Sequence, residues 1–184
     1  KDSYFPGTNG QTPYSIIHIN AMYDLLSRTY QDILIQKARS KNESTALVQM
    51  LERSAASKVI LIADRNYETY NGIVHMERKG WKYLIRIRDT AGIVQPFHFE
   101  PDRNLDVWKI ITLTRKQTNT FKQMKKDDPA RYRCLPKSSP MDYIDLHENK
   151  YLDLAIRFVR FQITEDTYET VMTNLSADDF PSSE

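Results

Sequence analysis

The sequence predicts an α/β fold whose second half is mostly β, on three observations. Up to residue 88, four strand-like and two helical stretches follow one another in the order strand, strand, helix, strand, helix, strand. Lys58 to Ala63 (KVILIA) is a short unbroken apolar run, as expected of a strand covered on both faces in a parallel or mixed sheet. Beyond Asp89 the helical signals fade and further strand-like stretches take over. With 184 residues the chain can bury one core, so one domain, or one domain carrying a large insertion, is expected.

Taken in order, Tyr4 to Pro13 holds Pro6, Gly7, Gly10 and Pro13, which suits an extended or turning opening. Ser15 to Tyr23 places Ile17, Ile19, Ala21 and Tyr23 on one side at a period of two, and Tyr30 to Gln36 repeats the pattern after a polar turn. These predict a hairpin. Ser40 and Glu43 form a capping box for a first helix that carries Leu47, Met50 and Leu51. The apolar run then ends on Asp64. Asn66 is placed to cap a second helix in which Tyr70, Ile73, Val74 and Glu77 share a face, and Gly80 to end it. Trp81 to Arg88 alternates, with Trp81, Tyr83, Ile85 and Ile87 opposite Lys82, Arg86 and Arg88. Strands are expected at Ile93 to Phe99, Asp106 to Thr114, Tyr151 to Thr164 and Tyr168 to Thr173, with Thr118 to Ser139 a loop or a short helix between them.

Several functional classes lose support from composition. No apolar run approaches the roughly 20 residues that span a bilayer, so no membrane partner is expected. A single cysteine, Cys134, excludes an internal disulfide and a four-cysteine zinc site. His18, His75, His98 and His147 are scattered without zinc-ligand spacing, and are read as structural. The five glycines form no phosphate-binding loop, which argues against a nucleotide cofactor, and no GxSxG elbow is present. Lys1 in place of a methionine, with no charged-then-apolar leader, predicts a piece excised from a longer chain.

Net charge is only +2, but it is unevenly placed. Arg115, Lys116, Lys122, Lys125, Lys126, Arg131, Arg133 and Lys137 face only Asp127 and Asp128. Such a run is either a solvated loop or a phosphate-contacting surface. Asp64 is the strongest chemical signal, because a carboxylate just after a buried strand lies at the carboxyl edge of a sheet, where open α/β folds place ligands. The same position also suits a capping residue. Arg65 can bind phosphate or pair with Asp64.

The stretch LIADRNYETYNGIVHMERKGWKYLIRIRD, Leu61 to Asp89, resembles the second catalytic block of DDE transposases of the insertion-sequence "IS four" group, with Asn66 where that group usually has glycine. SYFPGTNGQTPYSIIHINAMYDLLSRTYQDILIQ and YETVMTNL resemble the stretches after the first catalytic aspartate and before the catalytic glutamate. The resemblance implies an α/β, ribonuclease H-like mixed sheet with helices, interrupted by a β-rich insertion. Residues 1–89 would be a partial catalytic core lacking its first strand and last helix, 90–175 the insertion, and 176–184 the start of a truncated glutamate-bearing helix region.

By the same resemblance Asp64 is the second aspartate of the triad and a ligand of Mg²⁺ or Mn²⁺, with carboxylates outside this piece completing the site. The first aspartate belongs to an Asp-Gly motif expected just before Lys1, which Asp2 and Asp24 do not match. Glu184, in PSSE at the cap and first turn of a helix, does not match the catalytic glutamate either. The implied partner is double-stranded DNA, transposon ends and target, bound by a homodimer in the intact synaptic complex in the bacterial cytoplasm. Arg65, Lys82, Arg86, Arg88, Arg115, Lys116, Lys122, Lys125, Lys126, Arg131 and Arg133 are the candidate DNA contacts. The isolated piece is expected to be inactive. The alternatives are a catalytically dead DNA-binding or structural remnant of a mobile element, and another ribonuclease H-like nuclease.

Overall fold

The computed structural model describes residues 2–7, 9–88, 91–100, 103–165, 167–178 and 180–181. The chain divides into two compact units, Lys1–Ala56 and Ser57–Glu184.

In the first unit, the short strands β1 (Tyr4–Phe5) and β2 (Tyr14–Ser15) pair antiparallel, with the Phe5 and Tyr14 rings stacked. The expected hairpin forms from β3 (Ile17–Asp24) and β4 (Thr29–Lys37). Asp24 closes its turn by accepting the Leu26 and Ser27 N–H groups and the Ser27 hydroxyl. The first helix, α1 (Glu43–Arg53), buries Ala46, Leu47, Met50 and Leu51 as its apolar spacing predicts. Its cap is Asn42, whose Oδ1 accepts the Thr45 N–H, and not Ser40. Ser40 lies in a 3₁₀ turn, Ala38–Ser40, whereas Asn42 has the extended backbone that a cap requires. Arg53 bonds the Asp32 carboxylate with two nitrogens and His18 meets Glu43, which fastens α1 to the hairpin. Both pairs lie on the strand face opposite Ile17, Ile19, Ile33 and Ile35, which stay exposed.

The second unit is built on a six-stranded mixed sheet in the order β5-β6-β10-β9-β7-β8, from β5 (Ile60–Ala63), β6 (Lys82–Ile87), β7 (Leu105–Thr114), β8 (Tyr132–Cys134), β9 (Leu152–Thr164) and β10 (Thr167–Thr173). β5 runs parallel to β6 and β7 to β8; the other neighbours are antiparallel. α2 (Tyr70–Arg78) makes the crossover from β5 to β6 and buries Ile73, Val74 and Met76. It ends as the sequence predicts, at Gly80 with φ +72, where the Gly80 and Trp81 N–H groups return to the Glu77 and Met76 carbonyls. The alternation of β6 also holds: Trp81, Tyr83, Ile85 and Ile87 are buried, and Lys82, Arg86 and Arg88 exposed. With a six-stranded mixed sheet and three α-helices among the described residues, the architecture is mixed α/β and consistent with a ribonuclease H-like fold.

The second unit departs from expectation at three places. β5 is an edge strand among the described residues, with Ile60 44% and Ile62 62% exposed, so the apolar run is not covered on both faces. Ile93 to Phe99 is not a strand but turns around a 3₁₀ segment, Gln95–Phe97, because Pro96 lacks the ladder donor and His98 takes a left-handed conformation. Its Phe97 and Phe99 stack on each other and pack against Phe158 of β9. The polar stretch from Thr118 holds a helix, α3 (Asn119–Asp127), followed by β8, which the sequence reading missed. Strands β7, β9 and β10 match their expected ranges within one residue and lie in the same sheet as β5 and β6. Arg157, 1% exposed on β9, is bonded twice to Asp106 and donates to the carbonyls of Leu175 and Phe180, tying the chain after β10 onto the sheet. Ser182, Ser183 and Glu184, where a helix start is expected, and Asp89 lie outside the described residues.

Candidate active site

Asp64 stands immediately after β5, exposed and with extended backbone. Its Oδ1 accepts the Arg65 N–H at 2.7 Å and so caps a single 3₁₀ turn, Arg65–Tyr67. The two sequence readings of this residue are therefore compatible: one oxygen caps, and the carboxylate remains at the carboxyl end of the strand. The bond runs to the Arg65 backbone, and among the described residues no ion pair joins the two side chains. Asn66 lies inside the 3₁₀ turn and does not cap α2. Thr69 does, accepting the Gly72 N–H at 3.2 Å.

Four residues beyond Asp64, the half-buried Glu68 reaches across to the loop after β6, where its Oε1 accepts the Ile93 N–H. Burial raises this carboxyl group above the ordinary Glu range, opposed more weakly by the Ile93 N–H and the Arg88 charge. The loop backbone comes so close that a Cβ on Gly92, whose φ is +73, would sit 2.4 Å from Oε1. Arg133 holds the other side of the loop: its Nη1 donates to the Ile93 carbonyl at 2.8 Å and to the Tyr70 hydroxyl at 2.9 Å, while Nε and Nη2 donate to Ala130. Burial also raises the Tyr70 phenol. Nothing in the sequence marked Glu68, because its partner lies 25 residues away; a glycine between two candidate strands was the only trace.

The basic candidates separate by environment. Arg115 is a brace like Arg133, donating to the carbonyls of Ile144, Pro136, Ser139 and Met141, so the donors of these two half-buried residues are engaged within the fold. Arg86 pairs with Glu169, Lys82 approaches the Asn174 carbonyl, and Arg131 lies over the Tyr132 ring. Lys122, Lys125 and Lys126 are exposed on α3, whose buried Phe121 packs against Tyr132 and Tyr151. Arg65, Arg88 and Lys137 are exposed and Lys116 is half-buried.

His75 is buried, with Nε2 2.8 Å from Asp142 and Nδ1 3.1 Å from the Tyr143 hydroxyl. Among the described residues no three His, Cys, Asp or Glu side chains gather as a metal site.

The model of the transposase DDE domain family matches residues 2–184. The chain belongs to that family. No curated protein matches it significantly. As a DDE transposase domain it has DNA as its substrate, and divalent metal ions are the general requirement of this class of enzyme. No helix of the transposase domain, among the described residues, is long and apolar enough to cross a membrane.

Proposed function

We propose that this domain is the central part of an "IS four" group transposase, and that Asp64 is the second aspartate of its catalytic triad. The observation that carries the reading is the position of Asp64, solvent-exposed at the carboxyl end of a parallel strand and fixed by a cap to the next residue. In the reaction, water attacks the phosphorus at a transposon end and the 3′ oxygen leaves as a hydroxyl. That hydroxyl then attacks a target phosphodiester and displaces its 3′ oxygen. Hard carboxylate oxygens suit Mg²⁺ or Mn²⁺, which would activate the attacking oxygen and neutralise the leaving one.

On this reading the first aspartate and the catalytic glutamate come from chain outside residues 1–184, residues 90–175 are the insertion in the core, and the domain by itself is inactive. The intact enzyme works on double-stranded DNA as a homodimer in the bacterial cytoplasm. Among the candidate phosphate contacts the exposed cations Arg65, Lys82, Arg86, Arg88, Lys122, Lys125 and Lys126 stand first, with the half-buried Lys116, Arg131, Arg115 and Arg133 behind them. The test is Mg²⁺-dependent nicking of a labelled transposon end by the transposase carrying this domain, with its Asp64→Asn variant. Loss of nicking with DNA binding retained is expected; an active variant removes Asp64 from the triad.

A further inference from the structure

The 3₁₀ turn that presents Asp64 is three residues long, and its own hydrogen bonds, Tyr67 N–H to Asp64 O and Glu68 N–H to Arg65 O, are the weak kind such turns make. Its start is anchored by β5 in the sheet. At its other end stands Glu68, whose carboxylate ignores the N-terminus of α2 directly after it and crosses to the Ile93 N–H. Ile93 is 5% exposed, so this N–H has no ready replacement partner in water. The slot depends on Gly92, and Arg133 fixes the far side of the same peptide segment through the Ile93 carbonyl. A surface glutamate needs none of these arrangements.

We propose that Glu68 is a positioning residue: by clasping the Ile93 N–H in the space that Gly92 leaves open, it fixes the turn that presents Asp64, and acts on the reaction through Asp64 without touching DNA. The inference rests on the reading of Asp64 given above.

The experiment measures nicking rate against DNA concentration for the transposase carrying this domain, as wild type, Glu68→Ala, Glu68→Gln and Gly92→Ala, with Asp64→Asn alongside. Glu68→Ala and Gly92→Ala are expected to lower the rate at saturating DNA by roughly 10–100-fold, the range for residues that orient a catalytic ligand, while half-saturation stays put. Glu68→Gln keeps an oxygen that accepts from Ile93 and is expected to recover most of the rate. Should Glu68→Ala fail to fold, the Gln and Gly92→Ala variants decide. A wild-type rate in Glu68→Ala or in Gly92→Ala overturns the proposal, and so does a Glu68→Gln variant as inert as Asp64→Asn, which would make Glu68 a direct ligand. An active Asp64→Asn enzyme is a separate result: it overturns the reading of Asp64 whatever the Glu68 variants do.

Discussion

Arg115 and Arg133 flank α3 and donate into backbone carbonyls, whereas Lys122, Lys125 and Lys126 between them stand on the exposed face of that helix. In sequence the five belong to one basic run. In the fold the arginines hold loops together and the lysines do not, because a planar guanidinium with five donors can satisfy several carbonyls at once and an ammonium on a flexible stem remains better hydrated. Charge density along a chain therefore overstates the charge a DNA backbone can meet.

The strongest way to break this contrast is to remove a brace. Arg133→Ala and Arg115→Ala are each expected to destabilise the fold by about 2–4 kcal/mol, since several charge-assisted hydrogen bonds to part-buried carbonyls are lost. Urea denaturation checks this, and a change below about 0.5 kcal/mol, the usual surface value, would return both residues to the surface class. The three lysines should behave in the opposite way. Lys122→Ala, Lys125→Ala and Lys126→Ala are expected to leave the urea midpoint in place, and each that meets a phosphate should lower the slope of log binding constant against log salt by about 0.9. Fluorescence anisotropy with a transposon-end duplex measures it; an unchanged slope in the triple variant removes α3 from the DNA surface.

The smallest expected effect concerns protons. Burial raises the Glu68 carboxyl, so the folded state binds its proton more tightly than the unfolded chain does. Its contribution to stability is complete below the ordinary Glu value and is lost as pH rises toward the raised one. Asp142 runs the other way: hydrogen bonds from Asn71 and His75 lower it, so its contribution is present above the ordinary Asp value and is lost as pH falls. Stability measured from pH 3 to 7 should therefore show a weaker descending component in Glu68→Gln and a weaker acid-side component in Asp142→Asn, since Glu77 is raised and Asp2, Asp24 and Asp32 are lowered as well. Identical profiles for variants and wild type would show that neither group is coupled to folding.

How far the sequence could be read depended on the range of the interactions involved. The hairpin, α1, α2 and β6 were legible because hydrophobic spacing repeats within a few residues and Gly80 marks a helix end by its own conformational freedom. The caps were misplaced by a few residues, since Ser40 and Asn66 have the right chemistry but lie in 3₁₀ turns, and backbone conformation decides which polar residue accepts. Ile93 to Phe99 had the composition of a strand, yet Pro96 and the packing of Phe97 and Phe99 on Phe158 made it a turn. β8 is three residues long, too short to show a period, and exists through its pairing with β7.

By itself the sequence determined the alternation that builds β6, the helix that returns the chain to it, and the placement of an aspartate at the end of β5, because each follows from the nearest few side chains. Tertiary structure alone decided that β5 lies at an edge, that Arg115 and Arg133 face inward, and that Glu68 meets Ile93. Those outcomes depend on which carbonyls and N–H groups lack a partner once distant segments meet, and the local pattern of residues carries no record of that.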